Sequence, residues 1–342
     1  MGGCADGDAP GGAAARVFVA DERGGTISVI DARAHRVIAR VDLAEERDGG
    51  VVRYLPHNVQ VSPDGRTAWA TAASQAFYTS GFAGADDEQL VVIDAARLVV
   101  AARIPLRGLL SHVVFDSEGQ FAYVTAANAD EVIEVDVAAL RESRRFRVGL
   151  RRAPHGARLC AGRLFVANTQ GRSVSRIDLS TGVIEEVRVG GSPIQIACSP
   201  DGSTAFTALQ DERAVERVDM VTRVVTRLDL PDTARGPAQV YLAPGSARLW
   251  VADQGVLASA SRAGNRVYEV DVASWRVLGS AEVGLGAHGV VASRDGTRVY
   301  VSSTLENSVA ILDAATRRHV AAVPVGSGPN GISFVDDRGA MP

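Results

Sequence analysis

Residues 286–313 read GAHGVVASRDGTRVYVSSTLENSVAILD, and this stretch contains the pattern that decides the fold. Three short apolar runs are separated by turn signals such as the Ser-Arg-Asp-Gly sequence at 293–296. A fourth run follows at 319–323. Short apolar runs between turns are typical of strands, because helices need a longer periodic pattern. The stretch therefore predicts one four-stranded antiparallel unit.

The same unit recurs along the chain at a period of about 40 to 50 residues, which indicates a β-propeller or a similar array. The segment near the C-terminus that resembles a first strand is not followed by further strands. The N-terminus, in contrast, begins with strands two to four of a unit that lacks a first strand. Together the two ends complete one blade and remove the exposed edges of an open array. The first strands begin near seven residues: His57, His112, His155, Ile194, Ala238, His288 and Asn330.

We therefore predict an all-β protein, a seven-bladed β-propeller in which the C-terminal strand closes the first blade. The predicted boundaries are a flexible N-terminal tail at 1–14, a single propeller at 15–336 and a C-terminal tail at 337–342. Aspartates recur at the ends of the third strands. We expect each to accept hydrogen bonds from the turn that follows it. These are Asp31, Asp94, Asp136, Asp178, Asp219, Asp271 and Asp313.

The second strands carry a recurring motif, seen as Tyr123-Val124-Thr125-Ala126-Ala127-Asn128, as Phe165-Val166-Ala167-Asn168 and as Tyr300-Val301-Ser302-Ser303. With the Ser-Pro-Asp-Gly turns at 62–65 and 199–202, these units resemble the YVTN family of seven-bladed β-propellers. The resemblance covers residues 15–336 and implies the fold. It implies little about function, because the family spans enzymes and binding modules.

The charge and hydropathy of the chain restrict its partners. The net charge is −4 and no basic stripe occurs, so nucleic acid is not expected as a partner. No run of 18 or more apolar residues is present, so we predict no transmembrane segment. A small-molecule substrate and a monomeric protein are the expectations that remain.

The three cysteines give two separate predictions. Counted from Pro154 and Pro193, Cys160 and Cys198 fall on opposite strand faces, so we interpret them as buried small residues rather than as a disulfide. The N-terminal sequence around Cys4 looks like the end of a lipoprotein signal followed by a linker. This start predicts a periplasmic or extracellular protein with a lipid anchor at Cys4. A disordered start of a cytoplasmic protein is the alternative.

Four of the six histidines occupy the same position of the repeat, at the start of a first strand. They are His57, His112, His155 and His288. If the repeat closes into a ring, their imidazoles converge, and converging imidazoles bind transition metals. The alternative is that each histidine only caps a loop. We interpret His35 and His319, outside this position, as surface residues.

Neutral imidazole binds iron, copper, zinc and nickel. The equivalent positions hold no carboxylate, so calcium and magnesium are disfavoured. Blades five and six carry Ile194 and Ala238 there, and this gap would admit an apolar substrate. The arrangement is similar in kind to the four-histidine iron site of carotenoid-cleaving oxygenases, which are also seven-bladed propellers, although the two sequences are unlike along their length.

The leading hypothesis is a metal-dependent oxidoreductase, or oxygenase, that binds one iron or copper ion through His57, His112, His155 and His288. Tyr54, Tyr78 and Asn330 are the candidate catalytic or substrate-contacting residues. One alternative is a non-catalytic propeller that binds a metal or a partner; another is a zinc-dependent hydrolase or lactonase. Three long insertions, at 44–56, 74–88 and 255–265, fall on the face of the histidines and predict a lid.

Overall fold

The computed structural model describes residues 15–80 and 87–341. Within these residues, seven antiparallel sheets are arranged as the blades of a propeller, each with its first strand innermost. Each innermost strand contacts the innermost strand of the next blade, and the last contacts that of blade two, so the ring is closed. The predicted all-β, seven-bladed propeller is confirmed.

Two of the segments that lengthen the repeat, 44–56 and 74–88, lie in blades one and two. Blade one begins with β1 (Arg16–Asp21), β2 (Thr26–Asp31) and β3 (Arg36–Asp42), and a separate hairpin follows with β4 (Glu45–Arg47) and β5 (Gly50–Val52). Blade two has β6 (Tyr54–Val61), β7 (Thr67–Ser74), β8 (Glu88–Asp94) and β9 (Val99–Leu106), with helix α1 (Gln75–Thr79) after β7. Blade three has β10 (Leu110–Phe115), β11 (Phe121–Ala126), β12 (Glu131–Asp136) and β13 (Arg141–Arg147), with a 3₁₀ turn at Ala127–Ala129.

Blade four has β14 (Pro154–Cys160), β15 (Arg163–Asn168), β16 (Ser173–Asp178) and β17 (Ile184–Arg188). Blade five has β18 (Pro193–Cys198), β19 (Thr204–Leu209), β20 (Ala214–Asp219) and β21 (Val225–Asp229). Blade six has β22 (Pro237–Leu242), β23 (Arg248–Gly255), β24 (Ala263–Asp271) and β25 (Arg276–Glu282), with a 3₁₀ turn at Ala260–Arg262. Blade seven has β26 (Ala287–Ala292), β27 (Arg298–Ser303), β28 (Ser308–Asp313) and β29 (His319–Pro324).

The C-terminal strand β30 (Pro329–Asp336) closes the ring as the sequence predicts. It is the innermost strand of blade one and pairs antiparallel with β1, for example Phe18 with Ser333. A final strand, β31 (Gly339–Ala340), pairs with the end of β30. Residues 337–342 are the predicted C-terminal tail, whereas 337–341 in the structure belong to a hairpin that extends the sheet of blade one.

Two turns of the repeat have recurring sequences: the turn after each third strand and the turn between the first and second strands. Each third-strand aspartate accepts backbone N–H bonds from the turn that follows, as Asp31 Oδ1 does from the N–H groups of Arg33 and Ala34, both at 2.8 Å. The other six aspartates do the same. In the Ser-Pro-Asp-Gly turn, Gly65 has φ +72°, a conformation that glycine adopts without steric cost. These turns fix the strand ends, as predicted.

The first strands share an irregularity at the upper end, near the position of the histidines. The pairing of the first and second strand shifts between Pro56 and Asn58, and again between Leu110 and Val113. Equivalent shifts follow Pro154 and Ala287. A β-bulge inserts an extra residue, bends the strand and re-aims a side chain. The bulge therefore decides which way each histidine points, which the two-residue strand period alone does not.

Cys160 and Cys198 form a disulfide, so the prediction of two free cysteines is wrong. Their Cα atoms are 6.2 Å apart, across the boundary between blades four and five. The error lies in the geometry of neighbouring blades. Equivalent strands of two adjacent blades face each other with opposite faces, so residues on opposite faces are the ones that meet. The location of Cys160 and Cys198 on opposite strand faces, which was taken to exclude a disulfide, is therefore what allows the two side chains to meet.

The predicted N-terminal tail at 1–14, including Cys4, lies outside the described residues. Among those described, no helix has both the length and the apolar character needed to cross a membrane. The core lies between the blades, where the inner strands are buried on both faces, as the consecutive buried residues of β11, β15 and β27 show. Outer strands such as β3 alternate between exposed and partly buried residues.

Candidate metal centre

The upper opening is the end of the central channel at which the first strands begin. Three histidines from blades two, three and four come together there. The ring centroids of His57 and His155 are 5.2 Å apart, those of His112 and His155 are 5.1 Å apart, and those of His57 and His112 are 5.8 Å apart. His288 of blade seven lies further away, with its ring centroid 6.5 Å from that of His57.

One ring nitrogen from each of His57, His112 and His155 lies within 4.8 Å of the other two. Metal–nitrogen bonds of about 2.0 to 2.1 Å place two ligands of one ion at most about 4 Å apart. A small inward movement of the rings is therefore enough for all three to bind the same ion. Three of the four predicted histidines form the compact group, and the fourth lies at its edge.

Glu22 is the carboxylate of this site, and it comes from the turn between β1 and β2. Its Oε1 accepts a hydrogen bond from His57 Nδ1 at 2.9 Å. When the His57 imidazole carries a single proton, this bond keeps that proton on Nδ1 and leaves the lone pair on Nε2. Carboxylate partners of this kind orient metal-binding histidines and fix their tautomer. His57 is thus prepared to bind a metal through Nε2.

Asn330 and Tyr78, two of the predicted site residues, also contact Glu22. Asn330 Nδ2 donates to Glu22 Oε2 at 2.9 Å and lies 3.3 Å from His57 Nδ1. The hydroxyl of Tyr78, on α1, donates to Glu22 Oε1 at 3.3 Å. Glu22 and Asn330 are separated by 308 positions in sequence and are brought together only because β30 closes blade one.

The other two central histidines have different partners. His155 Nδ1 lies 3.0 Å from the carbonyl oxygen of Ile194 and must donate to it, which leaves the Nε2 lone pair free. His112 Nδ1 lies 3.1 Å from Gln195 Nε2. The Gln195 Oε1 atom already accepts the N–H of Ile196 at 2.8 Å, so its amide nitrogen faces His112 and donates. His112 is therefore held with its proton on Nε2, and that proton has to leave if Nε2 binds a metal.

Burial keeps His112, His155 and His288 neutral. Burial, together with the nearby charge of His57, lowers the pKa of His155 to about 3 and that of His288 to about 4. Burial also holds the pKa of His112 well below its ordinary value. For Glu22, burial alone would raise the pKa, but the charge and hydrogen bond of His57 and the bond from Asn330 lower it to about 2. The site therefore has three neutral imidazoles beside His57 and one ionised carboxylate.

Several buried polar atoms at the upper opening have no hydrogen-bond partner among the described residues. They are His57 Nε2, His288 Nδ1 and Asn330 Oδ1. Unpaired buried polar atoms are uncommon in proteins and require an explanation, such as a bound ion or water. Their grouping at one end of the channel, around the three converging imidazoles, fits a bound metal and its remaining ligands.

The threonine of the second-strand motif links neighbouring histidines. Thr125 Oγ1 accepts the backbone N–H of His112 at 2.9 Å and donates to the carbonyl oxygen of His155 at 2.6 Å. Ser302 makes the equivalent pair, accepting from the N–H of Gly289 and donating to the carbonyl of Asn330. The motif therefore satisfies the backbone at each bulge and sets the spacing between blades.

The remaining predicted residues lie elsewhere. Tyr54 is fully buried, and its hydroxyl is engaged by Arg47 of the β4–β5 hairpin and by Asp87 rather than by a histidine. Ala238, in the predicted apolar gap, is fully buried. His35 lies half-buried in an outer turn and His319 is exposed. Of the predicted lid insertions, the one at 74–88 reaches the site through Tyr78.

Sequence reasoning missed Glu22, because it considered carboxylates only at the first-strand positions. A signal was available: the turns between second and third strands return to the same face as the histidines. The turn after β1 carries Glu22, and two backbone bonds attach it to the loop before β30, from Glu22 N–H to the carbonyl of Gly328 and from Arg23 N–H to that of Ser327. Carboxylates in these turns were therefore candidates as well.

The chain belongs to the YNCE-like β-propeller family, whose model matches residues 14–292. This agrees with the propeller family expected from the YVTN-type units. No curated protein matches the sequence. The resemblance of the histidines to those of four-histidine oxygenases stays a prediction.

Solved structures with similar folds have different functions. The hydrazine synthase of Kuenenia stuttgartiensis matches with a TM-score of 0.68 and 18% identity, over 84% of this chain and 94% of that chain. A protein of unknown function from Desulfotomaculum acetoxidans matches with a TM-score of 0.71 and 14% identity, over 93% of this chain and 98% of that chain. A catalytically inactive histidine-to-alanine variant of virginiamycin B lyase from Staphylococcus aureus, with quinupristin, matches with a TM-score of 0.66 and 16% identity, over 84% and 93%. At these identities the likeness shows the fold alone, and the fold is compatible with catalysis.

Proposed function

We propose that this protein is a metal-dependent oxidoreductase that binds one iron or copper ion at the upper opening and acts on a small organic substrate. His57, His112 and His155 are the ligands in this proposal, and His288 is the fourth residue that can approach the ion. The imidazole set supports iron and copper, with zinc as the third metal that such a set accepts.

The observation that carries the proposal is the state of His57. Its Nδ1 is held by Glu22 at 2.9 Å, and its Nε2 is buried, without a hydrogen-bond partner among the described residues, beside two other imidazoles. A histidine that only capped a loop would need one polar contact and no such convergence. An imidazole with one nitrogen anchored on a carboxylate and the other unpaired is typical of a metal ligand.

A bound iron or copper ion would supply redox chemistry and Lewis acidity. The chain itself supplies orientation and control of protons. Glu22 holds the His57 ring and keeps its proton on Nδ1. The Tyr78 hydroxyl donates to Glu22, and burial raises the pKa of Tyr78 above its ordinary value, so the phenol stays protonated. The unpaired Oδ1 of Asn330 is available to accept a hydrogen bond from a substrate.

The disulfide supports a location outside the cytoplasm. Disulfides persist in oxidising compartments and are uncommon in the reducing cytosol. The bridge between Cys160 and Cys198 therefore favours the periplasmic or extracellular location expected from the N-terminal sequence. Lipid attachment at Cys4 remains part of this proposal.

The test is the metal content of the purified protein, measured by elemental analysis after anaerobic reconstitution with iron, copper or zinc. The wild type is expected to retain about one equivalent, and His57→Ala is expected to lose it. His319→Ala is the matched control, because it removes an exposed histidine far from the site, and it should bind metal as the wild type does. Equal metal content in wild type and His57→Ala, or none in either, contradicts the proposal.

A second candidate is a zinc-dependent lyase or hydrolase at the same residues. Glu22 and Tyr78 favour it, because they place a hydrogen-bond acceptor and a hydrogen-bond donor beside His57, where they can orient a substrate or a water molecule. A lyase of similar fold is inactive as a histidine-to-alanine variant, so a propeller of this kind is compatible with a reaction that depends on histidine. Oxygen uptake with iron or copper distinguishes the first candidate. Turnover of an ester or lactone with zinc distinguishes the second, and bound metal without turnover indicates a binding protein.

A further inference from the structure

Arg158 lies in the central channel near its lower opening, the end at which the first strands finish. It belongs to β14, three residues after His155, and lines both the narrow middle of the channel and the cavities below it. Its guanidinium carbon lies 5.9 Å from the ring centroid of Tyr241. Among the described residues no carboxylate forms an ion pair with it, and burial lowers its pKa.

Arg294 at the same opening shows how this fold normally satisfies such a cation. Arg294 Nε donates to Asp336 at 3.0 Å, and its Nη2 donates to the carbonyl oxygens of Gly339 and Ala340. Arg158 has no comparable set of acceptors among the residues that the structure describes. Arg158 is partly buried, and taking part of a charge out of water without a partner is costly, so an anion in the adjoining cavity would offset that cost.

The cavity beside Arg158 has the form of a small-molecule site. It has a volume of about 330 Å³ and lies below blades four, five and six. The Cys160–Cys198 disulfide, Leu242 and Pro244 form its apolar walls, with Tyr241 and Arg158 at its inner end. Small-molecule sites are concave and mostly apolar, with a few polar groups that orient the ligand. No carboxylate of the described chain lines this cavity.

The channel between this cavity and the histidines is narrow. The free volume in its middle, beside Gln195 and Gln239, is about 20 Å³. That space holds about one water molecule and no organic compound. A ligand at Arg158 therefore does not reach the metal site, and the two ends of the channel are separate sites.

We propose that the cavity at the lower opening binds an organic carboxylate whose apolar body lies against the disulfide and Leu242 and whose carboxylate pairs with Arg158. The planar guanidinium can donate two parallel N–H bonds to the two oxygens of one carboxylate. The size and apolar walls of the cavity select a ligand with an apolar body over an inorganic anion.

The test is isothermal titration of the full chain with 4-phenylbutyrate and with its neutral amide, 4-phenylbutanamide. The acid should bind saturably, and the amide at least about tenfold more weakly, because a hydrogen bond to a charged group contributes about that factor or more. Arg158→Gln should weaken binding of the acid by a similar factor, and Arg158→Lys by less. Arg217→Gln is the matched control: Arg217 also lies over an aromatic ring, that of Trp275, but lines a different groove.

Equal affinity for acid and amide, or an unchanged affinity in Arg158→Gln, overturns the proposal. Saturable binding absent throughout the millimolar range overturns it as well. If inorganic sulfate binds as tightly as 4-phenylbutyrate, the proposed preference for a ligand with an apolar body is wrong. If Arg158→Gln does not fold, as judged by its thermal unfolding, the acid-to-amide ratio in the wild type and the affinity of Arg158→Lys decide the question. None of these outcomes depends on metal at the upper opening.

Discussion

The upper and lower openings of the channel are built from opposite ends of the same strands, yet they differ in how they are held. At the upper opening, imidazoles and one carboxylate are arranged by bulges and single hydrogen bonds, and three buried polar atoms lack partners among the described residues. At the lower opening, a disulfide joins blades four and five, and Arg294 latches the C-terminal hairpin. The upper end is held by single hydrogen bonds around its imidazoles, whereas the lower end is held by a covalent cross-link and an ion pair. Arg158 at the lower end has no carboxylate partner among the described residues.

This difference indicates at which positions of the repeat the side chain can differ from blade to blade. The turns at the lower end must complete each hairpin, so their sequences repeat. The residue at each bulge of the upper end is bonded mainly through its backbone, as the carbonyl of His155 is bonded by Thr125. Its side chain is therefore free to change from blade to blade without loss of the fold. Functional residues are expected where the backbone alone carries the structure.

Acid should disrupt the upper opening first, with the largest effect. In metal-free protein, His155 and His288 have pKa values of about 3 and about 4, below the value near 6.5 of the unfolded chain. The unfolded chain therefore takes up protons below pH 6.5 that the folded protein does not. The stabilisation present above pH 6.5 is lost as the pH falls, by about 2 kcal/mol for each histidine at pH 5.

This acid effect is measured as the free energy of urea unfolding between pH 7 and pH 5, in protein treated with a chelator. The double variant His155→Gln/His288→Gln should show a much flatter profile, and His319→Ala should follow the wild type. A wild-type profile as flat as that of the double variant would mean that the histidines are not buried as neutral groups.

Removal of the disulfide should weaken the lower opening without changing the upper one. Cys160 and Cys198 are separated by 38 positions, and closing a loop of that length stabilises a fold by about 3 to 4 kcal/mol. The variant Cys160→Ser/Cys198→Ser is expected to lose about that much in urea unfolding and to keep its metal content. Loss of metal in this variant would show that the two openings are coupled.

The hairpin latch should contribute a smaller amount. Arg294→Ala removes the partner of the largely buried Asp336 and two bonds to the carbonyls of the hairpin, and should cost about 2 kcal/mol. Arg338→Ala is the control, because Arg338 pairs with the same aspartate from an exposed position and should cost less than about 0.5 kcal/mol. Urea unfolding of the two variants separates the effects, and equal losses would argue against the latch.

The last predicted effect is on metal affinity rather than on stability, and the residue that is changed is the partner of His57. Glu22→Gln keeps the shape of the side chain but removes the charge that holds the His57 proton on Nδ1. Metal affinity is expected to fall about 10- to 100-fold, the usual effect of changing the group behind a ligand histidine. Competition with a chromogenic chelator measures it, and Glu46→Gln, an exposed acid on β4, should have the affinity of the wild type. Unchanged affinity in Glu22→Gln would remove Glu22 from the site.

The repeat made the fold predictable from residues alone. Short apolar runs and their turns identified seven first strands, and the incomplete units at the two ends identified the closure between β1 and β30. The aspartate turns were also predictable, because an Asx turn depends only on neighbouring residues. The position of the histidines in the repeat was predictable too, since finding it did not require knowing which way each side chain points.

Contacts between blades were not predictable in the same way. The disulfide was missed because strand faces were compared within a blade, whereas adjacent blades meet with opposite faces. Glu22 was missed because its role depends on a turn lying beside a strand about 300 residues away, where Asn330 contacts it. Tyr54 was placed near the site by its position in the sequence, but its hydroxyl is bonded to Arg47 and Asp87.

The sequence by itself determined the number of blades, the closure and the four histidines at one repeat position, because each of these is a property of local pattern and period. Only the tertiary structure decided which side chains meet. It grouped His57, His112 and His155, set His288 apart, brought Glu22 to His57 and left Arg158 without an acid among the described residues. The physical reason is that bulges and blade packing set the direction of each side chain, and neither is encoded in the two-residue period of a strand.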